Sequence, residues 1–235
     1  MNVELLATID SEASINIPGW QDMRYPLDAL VRTRAVQDLV DAHATTIRRV
    51  GSADFHFHVL EQVYVPEGPN AGTHTISWVQ ACAESVIFWL YTSLNSLAQE
   101  LNLVYRFGID EWKVDVTHPS THDERPHSDC LKCRLIGEGD NLCAYLLAEL
   151  DSDWFKLLNG LRNRITHRQL LSTNTNIGGQ PGLLIEISHD PRARIFDEQP
   201  RTGIEIRGYC VQTRQNVVRV IGETYRQLIP RIGQI

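Results

Sequence analysis

Between Thr75 and Val104 apolar residues return at alternating steps of four and three: Ala83, Ile87, Leu90, Leu94, Leu97, Leu101 and Val104. That period puts them on one face of an α-helix, and Val79, Val86 and Trp89 widen the face until it suits the centre of a bundle. So broad an apolar face needs other helices to cover it, and the pattern elsewhere predicts them. One runs from about Pro26 to Val50, with Val36, Leu39, Val40, His43, Ile47 and Val50 on one side and Gly51-Ser52 as its predicted end. A short helix follows over Asn141 to Leu150. Asp151-Ser152-Asp153 then offers an N-cap and an acidic first turn to a helix from Trp154 to about Leu171. The last spans about Val211 to Ile229, with Val217, Val218, Ile221, Tyr225 and Leu228 on one face and Pro230 as a stop.

The spacers read differently. Phe55-His56-Phe57-His58-Val59 alternates at period two, as a short strand or an extended entry to a helix would. Residues 66–72 read as loop, and 105–140, punctuated by Gly108, Pro119, Pro126, Gly137 and Gly139, as a long loop excursion. Thr173 to Gly182 is rich in turn formers. Leu184 to Ser188 and Ile204 to Tyr209 read as strands, which predicts a β-hairpin over 182–209. The expectation is an all-α fold: one helical bundle over 1–235, with a small β-hairpin inserted before the C-terminal helix. A chain of this length buries roughly 70–75% of its unfolded surface, so a substantial core is expected.

Composition narrows the setting. No apolar run approaches the ~20 residues that cross a bilayer; the best, Val86 to Tyr91, is far too short. The opening Met-Asn-Val-Glu does not resemble a secretory leader, and five cysteines, an odd number, fit a reducing cytoplasm. The formal charge of −7 argues against a general nucleic-acid binder, but it is unevenly spread. Residues 1–153 sum to −13 and residues 154–235 to +6, with 19 Arg against 3 Lys overall. Arginine's planar fork of donors matches a phosphate, although arginine also serves as an ordinary surface residue.

The chemistry concentrates in Leu161-Arg162-Asn163-Arg164-Ile165-Thr166-His167-Arg168. On a helix Trp154, Leu158, Leu161 and Ile165 face the core, whereas Asn163 and His167, four apart, share an outward face with Arg162 at its margin. From Trp154 to Arg168 there are Lys156, Arg162, Arg164 and Arg168 and no carboxylate. An arginine can stabilise charge building on a phosphorane-like transition state. A histidine titrating near neutrality can move protons among a 2′-hydroxyl, the phosphate and a leaving 5′-oxygen. That route needs no metal and no cofactor. A two-fold dimer would bring a second histidine to the same place.

Arg162-Asn163-x-x-x-His167 resembles the signature of the HEPN ribonucleases: an arginine, a polar residue, three more residues and a histidine. In that family the motif lies on a late helix of an α-helical bundle, after a long central helix. The resemblance implies a metal-independent endoribonuclease that dimerises to build a composite site, in toxin–antitoxin pairs, phage defence or RNA processing. Arg162 and His167 would be catalytic, Asn163 would orient them or touch RNA, and Lys156, Arg164 and Arg168 would bind RNA. Members paired with a nucleotidyltransferase antitoxin often carry a Tyr two residues after the His, where this chain has Gln169. An antitoxin or defence partner would be a separate protein. The rival expectation is a non-catalytic HEPN-like module that binds RNA, a nucleotide or a protein.

Other residues admit plainer readings. His127, Cys130, Cys133 and Cys143 have the types and spacing of a zinc knuckle, with His118 and His122 nearby, and any such zinc would be structural. His56 and His58 share one side of the predicted strand. Cys82 reads as core, and His43 as a core or boundary histidine with a hydrogen-bond partner. Trp78, Trp89, Trp112 and Trp154 read as bundle packing, and Arg192, Arg194 and Arg201 as solvated positions on the hairpin that could grip RNA.

Overall fold

A computed structural model describes residues 34–64, 73–116, 130–166, 173–175, 183–187 and 202–232. Most of these residues are helical: α1 (Arg34–Val63), α2 (Thr73–Val104), α3 (Leu131–Glu138), α4 (Asn141–Asp151), α5 (Asp153–Thr166) and α6 (Ile206–Ile232). A small antiparallel sheet precedes α6, made of β1 (Thr173–Thr175), β2 (Leu183–Ile187) and β3 (Thr202–Glu205) in the order β1-β2-β3. Thr173 pairs with Ile185, and Ile185 in turn with Ile204. No described helix is long and apolar enough to cross a membrane.

The α2 stripe is the middle of one apolar core. Ala83, Ile87, Leu90, Leu94, Leu97, Leu101 and Val104 are all buried, with Val50, Leu60, Leu158, Val217, Ile221 and Leu228 around them. Contacts fix the directions. His43 meets Glu100 while Arg49 meets Thr92 and Ser96, so α1 runs antiparallel to α2. Arg214 meets Asp54 and Arg207 meets Glu61, so α6 also runs antiparallel to α1. Helix α5 packs on α2 through Phe155, whose ring stacks on Tyr91 at 6.4 Å.

Several boundaries differ from the sequence reading. Helix α1 passes through Gly51-Ser52 without a break, and Phe55 to Val59 is helix rather than strand. Val50, Ala53, Phe57 and Leu60 lie on its inner side, at steps of three and four that a period-two alternation also partly satisfies. His56 and His58 therefore sit on a helix, and burial lowers the His56 pKa. The predicted start at Pro26 lies outside the described residues.

The excursion over 105–140 contains helix α3, which begins where Cys130 caps it and ends at Gly139, whose φ of 68° is left-handed. Asp140 then caps α4, accepting from Cys143 N at 2.7 Å, and also accepts from the Tyr105 hydroxyl at 2.8 Å. Ser152 carries the junction to α5 through its carbonyl, which accepts from Lys156 N at 3.1 Å. The predicted hairpin is a three-stranded sheet, because Thr173–Thr175, turn-like in sequence, pairs with β2. Its last strand stops at Glu205, whose carboxylate accepts from Arg207 N at 2.9 Å and from Gly208 N, starting α6 five residues earlier than predicted. Ile206, Tyr209, Cys210 and Thr213 then take up helical spacing on the buried side. At the other end Pro230 lies inside α6. It removes one donor in the last turn, and buried Leu228 and Ile232 keep the helix in register. Trp78 and Trp112 are exposed, so packing does not account for them, whereas Trp89 and Trp154 are half-buried.

Candidate functional site

On α5, Phe155, Leu158 and Leu161 are buried and Trp154 and Ile165 half-buried, so the helix presents its predicted apolar face. Arg162 lies at the edge of that face, with its side chain 21% exposed. Its guanidinium carbon sits 4.0 Å from the centre of the Tyr91 ring, over its face, a cation–π contact. Nη1 donates to Asn163 Oδ1 at 2.7 Å, and Nη2 lies 3.8 Å from Asp115 Oδ2. Asp115 is held in turn by the Tyr91 hydroxyl, which donates to Oδ1 at 3.1 Å. The helix turn beyond is closed by the Thr166 hydroxyl, which donates to the carbonyls of Arg162 and Asn163 at 3.1 Å.

Asp115 reaches Arg162 because the chain after α2 doubles back along that helix. Four α2 side chains on one stripe hold it. Asn102 grips both backbone groups of Ile109, at 2.8 and 3.1 Å. Gln99 donates to Glu111 O at 2.6 Å, Asn95 accepts from Val116 N at 3.2 Å, and Tyr91 holds Asp115. These residues, spaced 91, 95, 99 and 102, fall within an arc of about 80°. Residues 109–116 thus form a strap laid antiparallel to α2, with a 3₁₀ turn at Glu111–Lys113. Sequence reasoning misses Tyr91 and Asp115. The polar stripe is the signal that could find them, and the apolar face of α2 draws attention away from it.

The other expected site residues are dispersed. His167 and Arg168 lie outside the described residues, as do His118, His122, His127, Arg192, Arg194 and Arg201. Arg164 is half-buried on α5. Lys156 is exposed and pairs with Asp151 at 3.0 Å, at the far end of α5 from Arg162. Cys130 and Cys143 are buried, Cys130 Sγ accepts from Cys133 N at 3.4 Å, and burial pushes both buried thiols up to about 11. Among the described residues no three His, Cys, Asp or Glu side chains are grouped to hold a metal ion.

Two further features bear on ligand binding. All five arginines of α6 face carboxylates: Arg207 with Glu61, Arg214 with Asp54, Arg219 with Glu149, Arg226 with Glu223 and Arg231 with Asp140. The arginines of α6 are thus answered by acids of the molecule itself. Beside the strap, a cleft of about 640 Å³ opens between α1 and α2, lined by Asp38, Asp41 and Glu111 as well as Arg49. Arg49 is tied to Thr92 O at 2.7 Å and Ser96 Oγ at 2.6 Å, and burial lowers its pKa. Three carboxylates to one arginine make that cleft a poor seat for a phosphate backbone.

Deeper in the bundle, Glu100 is fully buried and joins three helices. Its Oε1 accepts from the Thr46 and Tyr225 hydroxyls, the latter at 3.0 Å, and Oε2 lies 3.0 Å from His43 Nδ1. Burial holds the Tyr225 phenol well above its ordinary pKa, so it stays a donor. His43 is thus a core histidine with a partner, as expected. The arrangement is an all-α bundle with a small sheet; among the described residues Arg162 lies over Tyr91 and Arg231 over Tyr105, and Arg231 is paired with Asp140. Compared with known proteins, the chain matches no family model, no curated protein and no solved structure.

Proposed function

We propose that this protein is a metal-independent endoribonuclease with a HEPN-like bundle, acting as a homodimer in the cytoplasm. The observation that carries the reading is the state of Arg162. It is seated over the Tyr91 ring and steadied by Asn163, and it stands partly exposed on a late helix that follows a long central one. A guanidinium fixed in this way loses little freedom on meeting an oxyanion. The sequence places His167 five residues on, next to where the described part of α5 ends.

In this reading His167 takes the proton from an RNA 2′-hydroxyl, and the 2′-oxygen attacks the adjacent phosphorus. The P–O5′ bond breaks, and the leaving 5′-oxygen takes a proton from the second histidine across the dimer axis. Arg162 stabilises the charge on the non-bridging oxygens, which grows as the bond order rearranges. The products are a 2′,3′-cyclic phosphate and a 5′-hydroxyl. Arg164 and Arg168, close to Arg162 and His167 in the chain, would meet neighbouring phosphates. The pairing of Lys156 with Asp151 makes it a weaker candidate.

The internal pairing of the α6 arginines supports a second reading, a HEPN-like module that binds RNA, a nucleotide or a protein without cutting. Purified wild type and His167→Ala, incubated with mixed RNA in excess EDTA, separate the two. Cutting by wild type alone, leaving cyclic-phosphate ends, is expected of the nuclease. RNA that is bound but intact with wild type refutes it in favour of the module.

A further inference from the structure

Asp115 stands where an acid beside a phosphate-binding arginine ought to be a hindrance. Its Oδ2 stops 3.8 Å from Arg162 Nη2, beyond hydrogen-bonding distance, while Oδ1 is engaged by the Tyr91 hydroxyl at 3.1 Å. The Tyr91 ring is fully buried and also lies beneath the guanidinium, so this side chain touches both the arginine and the acid. Asn95, Gln99 and Asn102 hold the strap that carries Asp115 against α2. Among the described residues, one of the five guanidinium N–H groups is taken, by Asn163.

We propose that Asp115 is a built-in counter-ion for Arg162, held off the guanidinium by the Tyr91 hydroxyl, so that the arginine keeps its donors for an incoming phosphodiester oxyanion. The geometry defines the device, and the identity of its anion rests on the ribonuclease reading. Tyr91 and Asp115 are positioning residues, since both act through Arg162. With the hydroxyl gone, the carboxylate is drawn the remaining distance onto Nη2 and closes a direct ion pair, which occupies the donors that an oxyanion needs. With the carboxylate neutralised, that competition ends.

The test reads Arg162 directly, with no RNA present. Wild type, Tyr91→Phe, Asp115→Asn and the double variant are treated with phenylglyoxal, and the rate of Arg162 modification is followed by peptide mass spectrometry. Tyr91→Phe keeps the ring and Asp115→Asn keeps the shape, and circular dichroism melts verify that each variant folds. Tyr91→Phe is expected to slow modification by about two- to fivefold, the span that a partly exposed ion pair commands. Asp115→Asn is expected to speed it, and the double variant to behave like Asp115→Asn. Unchanged reactivity in Tyr91→Phe, or slower reaction in Asp115→Asn, overturns the proposal. Affinity for a 2′-O-methyl RNA oligonucleotide should follow the same order. If reactivity follows the order but wild type neither binds nor cuts RNA, the device stands and RNA phosphate as its anion falls with the ribonuclease reading. If wild type cuts RNA and reactivity is the same in every variant, the nuclease stands and the device falls.

Discussion

Replacing Glu100 by leucine should be among the most damaging single substitutions in this bundle. The carboxylate is fully buried and meets Thr46, Tyr225 and His43, which belong to helices α1 and α6. Leucine fills much of the volume but offers no acceptor, so two hydroxyls and an imidazole nitrogen lose this partner inside the core. A buried donor left unmatched costs about 1–3 kcal/mol, and breaking a buried charged cluster from one side costs about 3–5 kcal/mol. The expected loss is about 4 kcal/mol, or roughly 8–16 °C in melting temperature for a chain of this size. Urea titrations followed by far-UV circular dichroism measure it, with a check that the denaturant slope is unchanged. A companion variant isolates the cause. Combining Glu100→Leu with His43→Leu, Thr46→Val and Tyr225→Phe removes the donors along with the acceptor and should recover most of the loss. If Glu100→Leu alone is as stable as wild type, the network does not hold the three helices together and the reasoning fails. It fails equally if the fourfold variant is no more stable than the single one.

Two other outcomes can be checked on the same instruments. Asn102→Ala removes both of the strap's inner hydrogen bonds at a buried site, which should lower stability by about 1–3 kcal/mol and speed amide exchange at Ile109, while exchange in the middle of α2 stays slow. The Glu149 carboxyl is held below its ordinary value of 4.5, first by hydrogen bonding to Arg219. Its folded pKa is thus lower than its unfolded one, so its stabilisation is fully present above about pH 4.5 and is lost as pH falls through the folded value. Arg219→Gln should therefore be weaker than wild type at pH 7, with the gap narrowing as the medium is acidified to pH 3; a gap that stays constant across that range would contradict the assignment.

How legible the fold is in the sequence depends on how local each cause is. The α2 core stripe and the buried face of α6 are written in the chain at helical spacing, and the structure buries both. Sequence and structure part where two periods share positions. Phe55, Phe57 and Val59 alternate as a strand would, while Phe57 also stands at helical spacing from Ala53 and Leu60, and Gly51 has the look of a terminus although it lies buried inside α1. Ile204 and Ile206 alternate as a strand would, but the Glu205 carboxylate caps a helix between them. The margin position of Arg162 follows from the helical wheel alone. Its mounting on Tyr91 does not, because a contact between helices distant in sequence leaves no mark at either position. Charge is legible in amount and opaque in purpose. The surplus of arginine in the last third suggests an anionic ligand, yet in α6 it answers acids of the bundle itself.

That pairing bears on how the chain is made. Asp54, Glu61, Asp140 and Glu149 all precede their arginine partners, and Glu100 precedes Tyr225. While residues 206–232 are still within the ribosome, the emerged portion is an acidic, self-repelling assembly whose central carboxylate lacks its phenol. Arrival of α6 brings its arginines to those acids and supplies Tyr225 to the buried carboxylate. Helix α6 is therefore made after the acids of the other helices that it answers, and a chain stalled before residue 206 should present itself to chaperones and proteases as an open, strongly anionic intermediate.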